Sequence, residues 1–271
     1  MKEKIILGNT QKTLLLPLWG RAVESQKEEP LLVDKKAVEI VEKIDYNFDT
    51  FSKSFSVISQ LGWVVRSLLI DQVIKQFINK HPGATIVDIG CGLDTIFERT
   101  DNGTIRWYDL DLPDTIELRK KFFKETDRRK FITGSFLDPD WFDHLIIEDN
   151  ILFIAAGLFY YFKEEQIKSF FHRLADLYPG SQIVFDASSP FGVKMANKMV
   201  LKTSGIDEVS LLVWGIKKSE SIELWDNRLA VISEKPFFRN MPKRLNLKTK
   251  LLLRFSDMFK IQYMIHLKIR K

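Results

Sequence analysis

Apolar positions along the chain alternate between helical and strand-like spacing, and that alternation sets out the fold. From Lys35 to Ile44, Ala37, Val38, Val41 and Ile44 recur on one helical face. From Ser54 to Lys80 a longer apolar face runs from Val57 through Leu61, Val65, Leu68 and Ile74 to Ile78, with Gly62 a point of interruption and His81-Pro82-Gly83 the stop. A largely β-branched apolar run, Ala84 to Ile89, follows at once and predicts a buried parallel strand. Further strands are predicted at Ile105–Asp111, Arg129–Ser135, Asn150–Ala156, Ser181–Ala187, Leu229–Phe238 and Lys260–Ile269. Helices are predicted at Glu164–Tyr178 and Leu247–Phe259, with a helix-like insert at Gly192–Ser204 followed by an apolar run ending at Trp214. The opening residues, to about Asp34, show no clean period. The order predicts an α/β fold: a doubly wound, mostly parallel sheet of about seven strands. Helices that precede the first strand predict an N-terminal helical cap over a ligand site. The expected organisation is one domain over 1–271, with the cap in 1–80 and the core in 84–271 carrying a helical insert around 192–225.

Composition narrows the function classes. With 45% hydrophobic and 28% charged residues in 271, the chain reads as a soluble globular protein able to bury a large core. Its one cysteine, Cys91, and four scattered histidines give no disulfide framework and no metal site. The apolar piece Leu14–Trp19 is short and broken by Pro17, so neither a signal nor a membrane span is expected, and the reading is cytoplasmic. Net charge is +5, but eleven Lys or Arg against the single acid Asp257 give +10 from Lys235 onward. That segment is either a solvated surface or an attractor of anionic partners. Basic and aromatic residues do not interleave there as in a nucleic-acid binder.

The chemistry concentrates where the first strand ends. Asp88-Ile89-Gly90-Cys91-Gly92 sets an acid two residues before a pair of glycines that let a backbone turn sharply and approach a ligand closely. The layout resembles motif I, D/E-x-G-x-G, of the class I S-adenosylmethionine (SAM)-dependent methyltransferases. A dinucleotide loop would want a third glycine where Thr95 stands. An acid closing the second strand suits ribose hydroxyls, because both carboxylate oxygens accept. Asp111 and Asp109 are taken to point to opposite faces, so that only one serves. Phe136 and Leu137 follow the third strand, where an adenine needs apolar walls, and Gly157 to Tyr161 follow the fourth, opening on the same crevice.

These motifs resemble the leucine carboxyl methyltransferase family, in its bacterial branch related to the tetracenomycin polyketide O-methyltransferases. The resemblance runs over nearly the whole chain. It is carried by Gly20–Ser25, Asp34–Ala37, Ile44-Asp45-Tyr46, Arg66, Gly90-Cys91-Gly92-Leu93-Asp94-Thr95, Trp107–Pro113, Leu137–Trp141 and Gly157–Tyr161. It implies that Arg66 clamps the carboxylate of SAM, with Arg21 assisting, through a bidentate fork that a lysine lacks. Asp88, Gly90, Cys91 and Gly92 then form the cofactor loop, Asp111 holds the ribose, and S-adenosylhomocysteine is the product. No metal is implied. Phe136 stands where the family often has Asp, and Ala156 where it usually has Glu, so contacts to the cofactor are altered at both. Tyr160 and Tyr161 are expected to line the acceptor pocket.

Methyl transfer from a sulfonium is an in-line displacement with a neutral leaving group. A carboxylate acceptor is ionised at neutral pH and needs no general base, whereas a phenol, with a pKa near 10, needs one. No residue is assigned as that base. The expected function is O-methylation of a small-molecule or peptide carboxylate or hydroxyl, with an acidic acceptor, no membrane and no nucleic acid as partner. Two other readings stay open: a SAM-binding protein with lost activity, motivated by Ala156 and Phe136, and an RNA methyltransferase, motivated by the basic C-terminus.

Overall fold

In the computed structural model, residues 9–203, 211–239 and 245–271 are described. The run predicted as the first strand forms β1 (Thr85–Ile89), and all five of its residues are buried. It lies mid-sheet, between β2 (Arg106–Asp111) and β4 (Ile151–Ala155). The seven strands run in the order β3-β2-β1-β4-β5-β7-β6. β3 (Arg129–Thr133), β2, β1, β4 and β5 (Gln182–Ala187) are parallel, while β7 (Tyr263–Ile269) runs antiparallel between β5 and β6 (Leu229–Pro236). The parallel strands therefore end along one edge, and the order reverses at β1 and β4. A ligand crevice forms outside the carboxyl ends of strands at such a switch point.

Both faces of the sheet are covered, which is why β4 reads as an unbroken apolar run and β1 and β5 as nearly so. On one face Val87, Phe153, Phe185 and Ile265 meet Phe170, Phe171 and Leu174 of α7 (Glu164–Leu177). On the other, Ile86, Leu152, Ile154 and Val184 meet α4 (Val57–Lys80) through Leu61, Val65, Ile70, Val73 and Ile74. The side chain of Ser56 caps the start of α4. Gly62 does not interrupt this helix: a Cβ there would lie 2.7 Å from Gln262 Oε1, so the glycine serves close packing against β7's approach. α4 is long and apolar enough to span a bilayer, and it is a core helix here, with thirteen of its residues buried.

Four helices precede β1 in the described residues: α1 (Asn9–Ser25), α2 (Lys35–Lys43), α3 (Asp49–Ser54) and α4. Leu15, Leu18 and Trp19 of α1 pack with Ala37 and Ile40 of α2, with Phe51, and with Leu118 of α6 (Pro113–Lys120). The sequence pattern did not reveal α1. Pro17 sits inside it, and apolar residues occur around its circumference because it touches α2, α4 and the glycine turn at once. The segment after the glycine turn forms only the short α5 (Ile96–Thr100). At the end of the apolar run that closes at Trp214, Val213 N and Trp214 N both donate to Tyr160 O, at 2.7 and 3.1 Å, bracing the loop after β4. The insert helix is α8 (Pro190–Thr203), and α9 (Leu247–Met258) precedes β7. The part of the predicted insert at 204–210 lies outside the described residues.

Candidate cofactor and acceptor site

The glycine turn leaves β1 with Gly90 at φ +69° and Gly92 at φ +47°, both in the left-handed region. A Cβ on Gly90 would lie 2.9 Å from Leu158 Cδ1, and one on Gly92 3.0 Å from Leu14 Cδ2. Helix α1 thus leans on Gly92 and the loop after β4 on Gly90. Gly90 N and Cys91 N donate to Leu110 O at 2.8 and 3.2 Å, and Gly92 N donates to Asp111 Oδ2 at 2.7 Å. The turn is therefore tied to the end of β2. Cys91 is buried, and burial pushes its thiol well above the ordinary range, so it is no nucleophile.

Asp109 and Asp111 do not differ by face. Two residues apart on one strand, they lie on the same side, and depth separates them. Asp109 is fully buried and accepts from Trp107 Nε1 (2.8 Å), Arg119 (2.8 Å) and Arg129 Nε (2.7 Å), which makes it the hub of an ion cluster. Asp111 sits at the strand's end, half-buried, with one backbone N–H on each oxygen: Gly92 on Oδ2 and Leu112 on Oδ1, both at 2.7 Å. Each oxygen keeps a second lone pair, the arrangement a pair of vicinal hydroxyls needs. Asp88 is buried beneath the turn with Oδ2 unbonded. Burial first, then the charges of Asp94 and Asp109, push its carboxyl well above the usual range.

The two arginines named from sequence are held differently. Arg21 is almost wholly buried: Nε donates to Asp34 Oδ2 at 2.9 Å, Nη2 to Leu93 O at 3.2 Å, and Nη1 faces Asp94 at 3.4 Å. Asp34 also caps α2 through Ala37 N and takes Arg99 at 2.9 Å. Burial alone would raise the carboxyl of Asp94, but Arg21, Arg99 and Arg66 together hold it below its ordinary value. A cleft of about 530 Å³ opens beside this network, lined by Asp34, Lys36, Asp71, Lys75 and Arg99 among others, and its lining does not include the glycine turn.

Arg66, from the middle of α4, reaches the ends of β4 and β5. Its ion pair is with Asp186 at 3.5 Å. Asp186, next to last in β5, accepts from Gly157 N at 2.6 Å and takes the Tyr160 hydroxyl on its other oxygen. Burial, then Asp186, push the Tyr160 hydroxyl well above the ordinary phenol range, so it stays a neutral donor. Gly157 has φ +78°, and a Cβ there would lie 2.4 Å from Arg66 Nη1. That position admits the guanidinium only as glycine. The sequence reading missed Asp186, although an acid near the end of an apolar strand is the same signal that marked Asp111.

The remaining candidates spread along the same edge. Phe136 is buried, its ring 4.6 Å from Phe162 and 5.3 Å from Phe170. Leu137 is half-buried, with its carbonyl taken by Arg173 at 3.0 Å. Ala156 is half-buried and packs on the α4 side of the sheet. Tyr161 is 39% exposed beside the buried Tyr160. Among the described residues no group of His, Cys, Asp and Glu is arranged to hold a metal ion. A nucleoside bearing an amino-acid tail fits what is present: two glycines without side chains, a carboxylate with free lone pairs, and an arginine with donors to spare.

Residues 15–175 match the family model described as Leucine carboxyl methyltransferase. The chain is 31% identical over 228 residues to Tetracenomycin polyketide synthesis O-methyltransferase TcmP of Streptomyces glaucescens, covering 82% of this chain and 81% of the relative. It is 28% identical over 217 residues to S-adenosyl-L-methionine-dependent methyltransferase dpfgK of Gibberella zeae, covering 72% of each. Among solved structures it is similar to a DUF574 family protein of Streptomyces avermitilis, with a TM-score of 0.59 at 11% identity over 96% of this chain and 97% of that one. The likeness to that structure is one of fold.

Proposed function

The chain belongs to the leucine carboxyl methyltransferase family and is a SAM-dependent methyltransferase; from that premise we propose that it methylates an oxygen of a small acidic molecule at the carboxyl ends of β4 and β5. The observation that carries the proposal is Arg66 itself, whose ion pair with Asp186 is 3.5 Å long beside a neutral Tyr160 hydroxyl, so its guanidinium can still take a carboxylate. SAM, when bound, supplies a methyl group on a positively charged sulfur. Arg66 donates to the cofactor's carboxylate, Asp111 accepts from its ribose hydroxyls, and Gly90 and Gly92 let the backbone come close. Leu137 offers an apolar wall to the adenine, while Phe136, turned into the core, supports that wall. Ala156 leaves an apolar surface where the family usually has a carboxylate.

No proton has to be removed from a carboxylate acceptor, which agrees with a Tyr160 that donates to Asp186 and a Cys91 held as the thiol. Orienting and desolvating the acceptor are then the protein's main contributions, worth on the order of 7–11 kcal/mol for a well-aligned pair. Tyr161, partly exposed, lines the acceptor side. The naming of one relative as a polyketide synthesis O-methyltransferase supports an oxygen acceptor of small size.

Calorimetry with SAM and S-adenosylhomocysteine tests the cofactor half. At about a hundred times the dissociation constant, either ligand should stabilise the fold by about 2.7 kcal/mol. Radiolabelled SAM with a deproteinised, nucleic-acid-free extract tests the acceptor half, with base-labile label expected when a carboxylate is methylated. Label confined to a parallel RNA sample would overturn the acidic small-molecule assignment.

A further inference from the structure

α9 presents to solvent the face that a surface helix normally buries. Leu253 and Ser256 turn inward and are buried, while Leu247, Leu251, Leu252, Phe255 and Met258 are exposed, Leu247 at 73% and Met258 at 70%. At 100° per residue these side chains and Phe259 sweep an arc of about 140°. Lys248 falls inside the arc and Arg254 at its margin. α8 extends the patch with exposed Phe191 and Met195, flanked by exposed Lys194 and Lys198. The Phe191 ring lies 5.3 Å from that of Phe259 and 6.5 Å from that of Phe255, so the two helices form one apolar surface.

Among the described residues of α8 and α9 the exposed charges are all positive. Asp257, the one acid in the sequence from Lys235 onward, turns away to accept from Phe238 N at 3.0 and 3.1 Å. A contiguous apolar patch rimmed by cations marks an interaction site, and three kinds of partner fit it unequally. A nucleic acid would use the lysines but leave Leu, Met and Phe in water. A second copy of the chain would bury the apolar residues but bring Lys194, Lys198, Lys248 and Arg254 against their own kind. An anionic bilayer satisfies both features, since apolar side chains enter the headgroup boundary while Lys and Arg meet lipid phosphates. Against the expectation from sequence of no membrane partner, we propose that α8 and α9 form a docking surface for an anionic phospholipid membrane. α8 follows β5, the strand that ends beside Asp186, so docking there turns the acceptor side of the sheet toward the lipid.

Co-sedimentation of the full-length protein with sucrose-loaded vesicles tests this. Vesicles of equal phosphatidylglycerol and phosphatidylcholine should pellet the protein at about 0.05 M salt and much less at about 0.5 M, with little pelleting by phosphatidylcholine alone. The double substitution Phe255→Ser with Met258→Ser should lower partitioning at least about tenfold. Lys248→Glu with Arg254→Glu should abolish the preference for anionic lipid. Ile146→Ser, at an exposed apolar position beside the amino end of β1, should change nothing. All these positions are exposed, and thermal melts check that each variant is folded. No pelleting at low salt, or full pelleting by the Phe255/Met258 variant, overturns the proposal. A dimer in sedimentation velocity that this variant abolishes, without vesicle binding, assigns the patch to self-association instead.

Discussion

Below β1, β2 and β3, buried carboxylates and arginines meet at short range. Asp34, Asp71 and Asp109 are reached by Arg21, Arg99, Arg119 and Arg129 at 2.7 to 2.9 Å. At the ends of β4 and β5, Arg66 reaches Asp186 only at 3.5 Å, and the second oxygen of that carboxylate holds the backbone of Gly157. The first half spends its charges on itself and serves as a scaffold under the glycine turn. The second half keeps donors unspent, so it can meet an incoming carboxylate. A buried ion cluster is weak evidence of net stabilisation, but taking one member out leaves uncompensated charge and is costly.

The largest expected effect follows from that asymmetry. Asp109→Leu leaves Arg119 and Arg129 buried without their shared acceptor and should cost about 3–5 kcal/mol of stability. Asp111→Asn keeps an acceptor for Gly92 at the exposed end of the same strand and should cost under about 1 kcal/mol while weakening SAM binding. Denaturant unfolding of both variants measures the difference. Equal losses would show that depth along β2 does not separate a scaffold carboxylate from a ligand carboxylate.

The next effect is on affinity. Arg66→Lys replaces a fork by a point charge and should weaken SAM binding by about 1.5–3 kcal/mol, with little change in unfolding. Arg21→Lys should do the reverse, because Arg21 already holds Asp34, Leu93 O and Asp94. Calorimetry and denaturant melts on the pair decide the matter. If Arg21→Lys loses the cofactor while staying as stable as the parent, the two halves have been assigned the wrong way round.

What the sequence made legible follows the same division. β1, β4 and β5 announced themselves because burial on both faces makes a strand almost continuously apolar, and Gly90 and Gly92 were visible because a tight turn after such a strand has few other solutions. α1 stayed hidden because a helix touched on several sides has no single apolar face. The roles of Arg21 and Arg66 could not be separated by residue type, since their difference lies in partners 13 to 120 residues away, Asp34 and Asp186. Asp111 was marked by its place at a strand end. The idea that Asp109 faced the other way was a miscount of the two-residue period.

The smallest effect probes the second half by pH. There His266, on β7 opposite Val184 of β5, is half-buried, with its Nε2 atom enclosed and unbonded among the described residues. Burial, with Lys235 adding to it, lowers its pKa to about 4, against about 6.5 in the unfolded chain. Between those values the unfolded chain binds the proton more readily than the folded one. The site therefore costs nothing above pH 7, and stability drains as pH falls through 6.5 toward 4. Asp88, beneath the glycine turn, has the opposite sign: its pKa is raised, so acid relieves rather than strains it. His266→Phe keeps ring volume in the strand and removes the titration. Between pH 7 and pH 5 the parent should lose about 1–2 kcal/mol more stability than this variant, and the two curves should run parallel above pH 7. Identical slopes across that range would mean that His266 finds a partner or water in the folded state, and the acid sensitivity of the β5–β7 side would have to come from elsewhere.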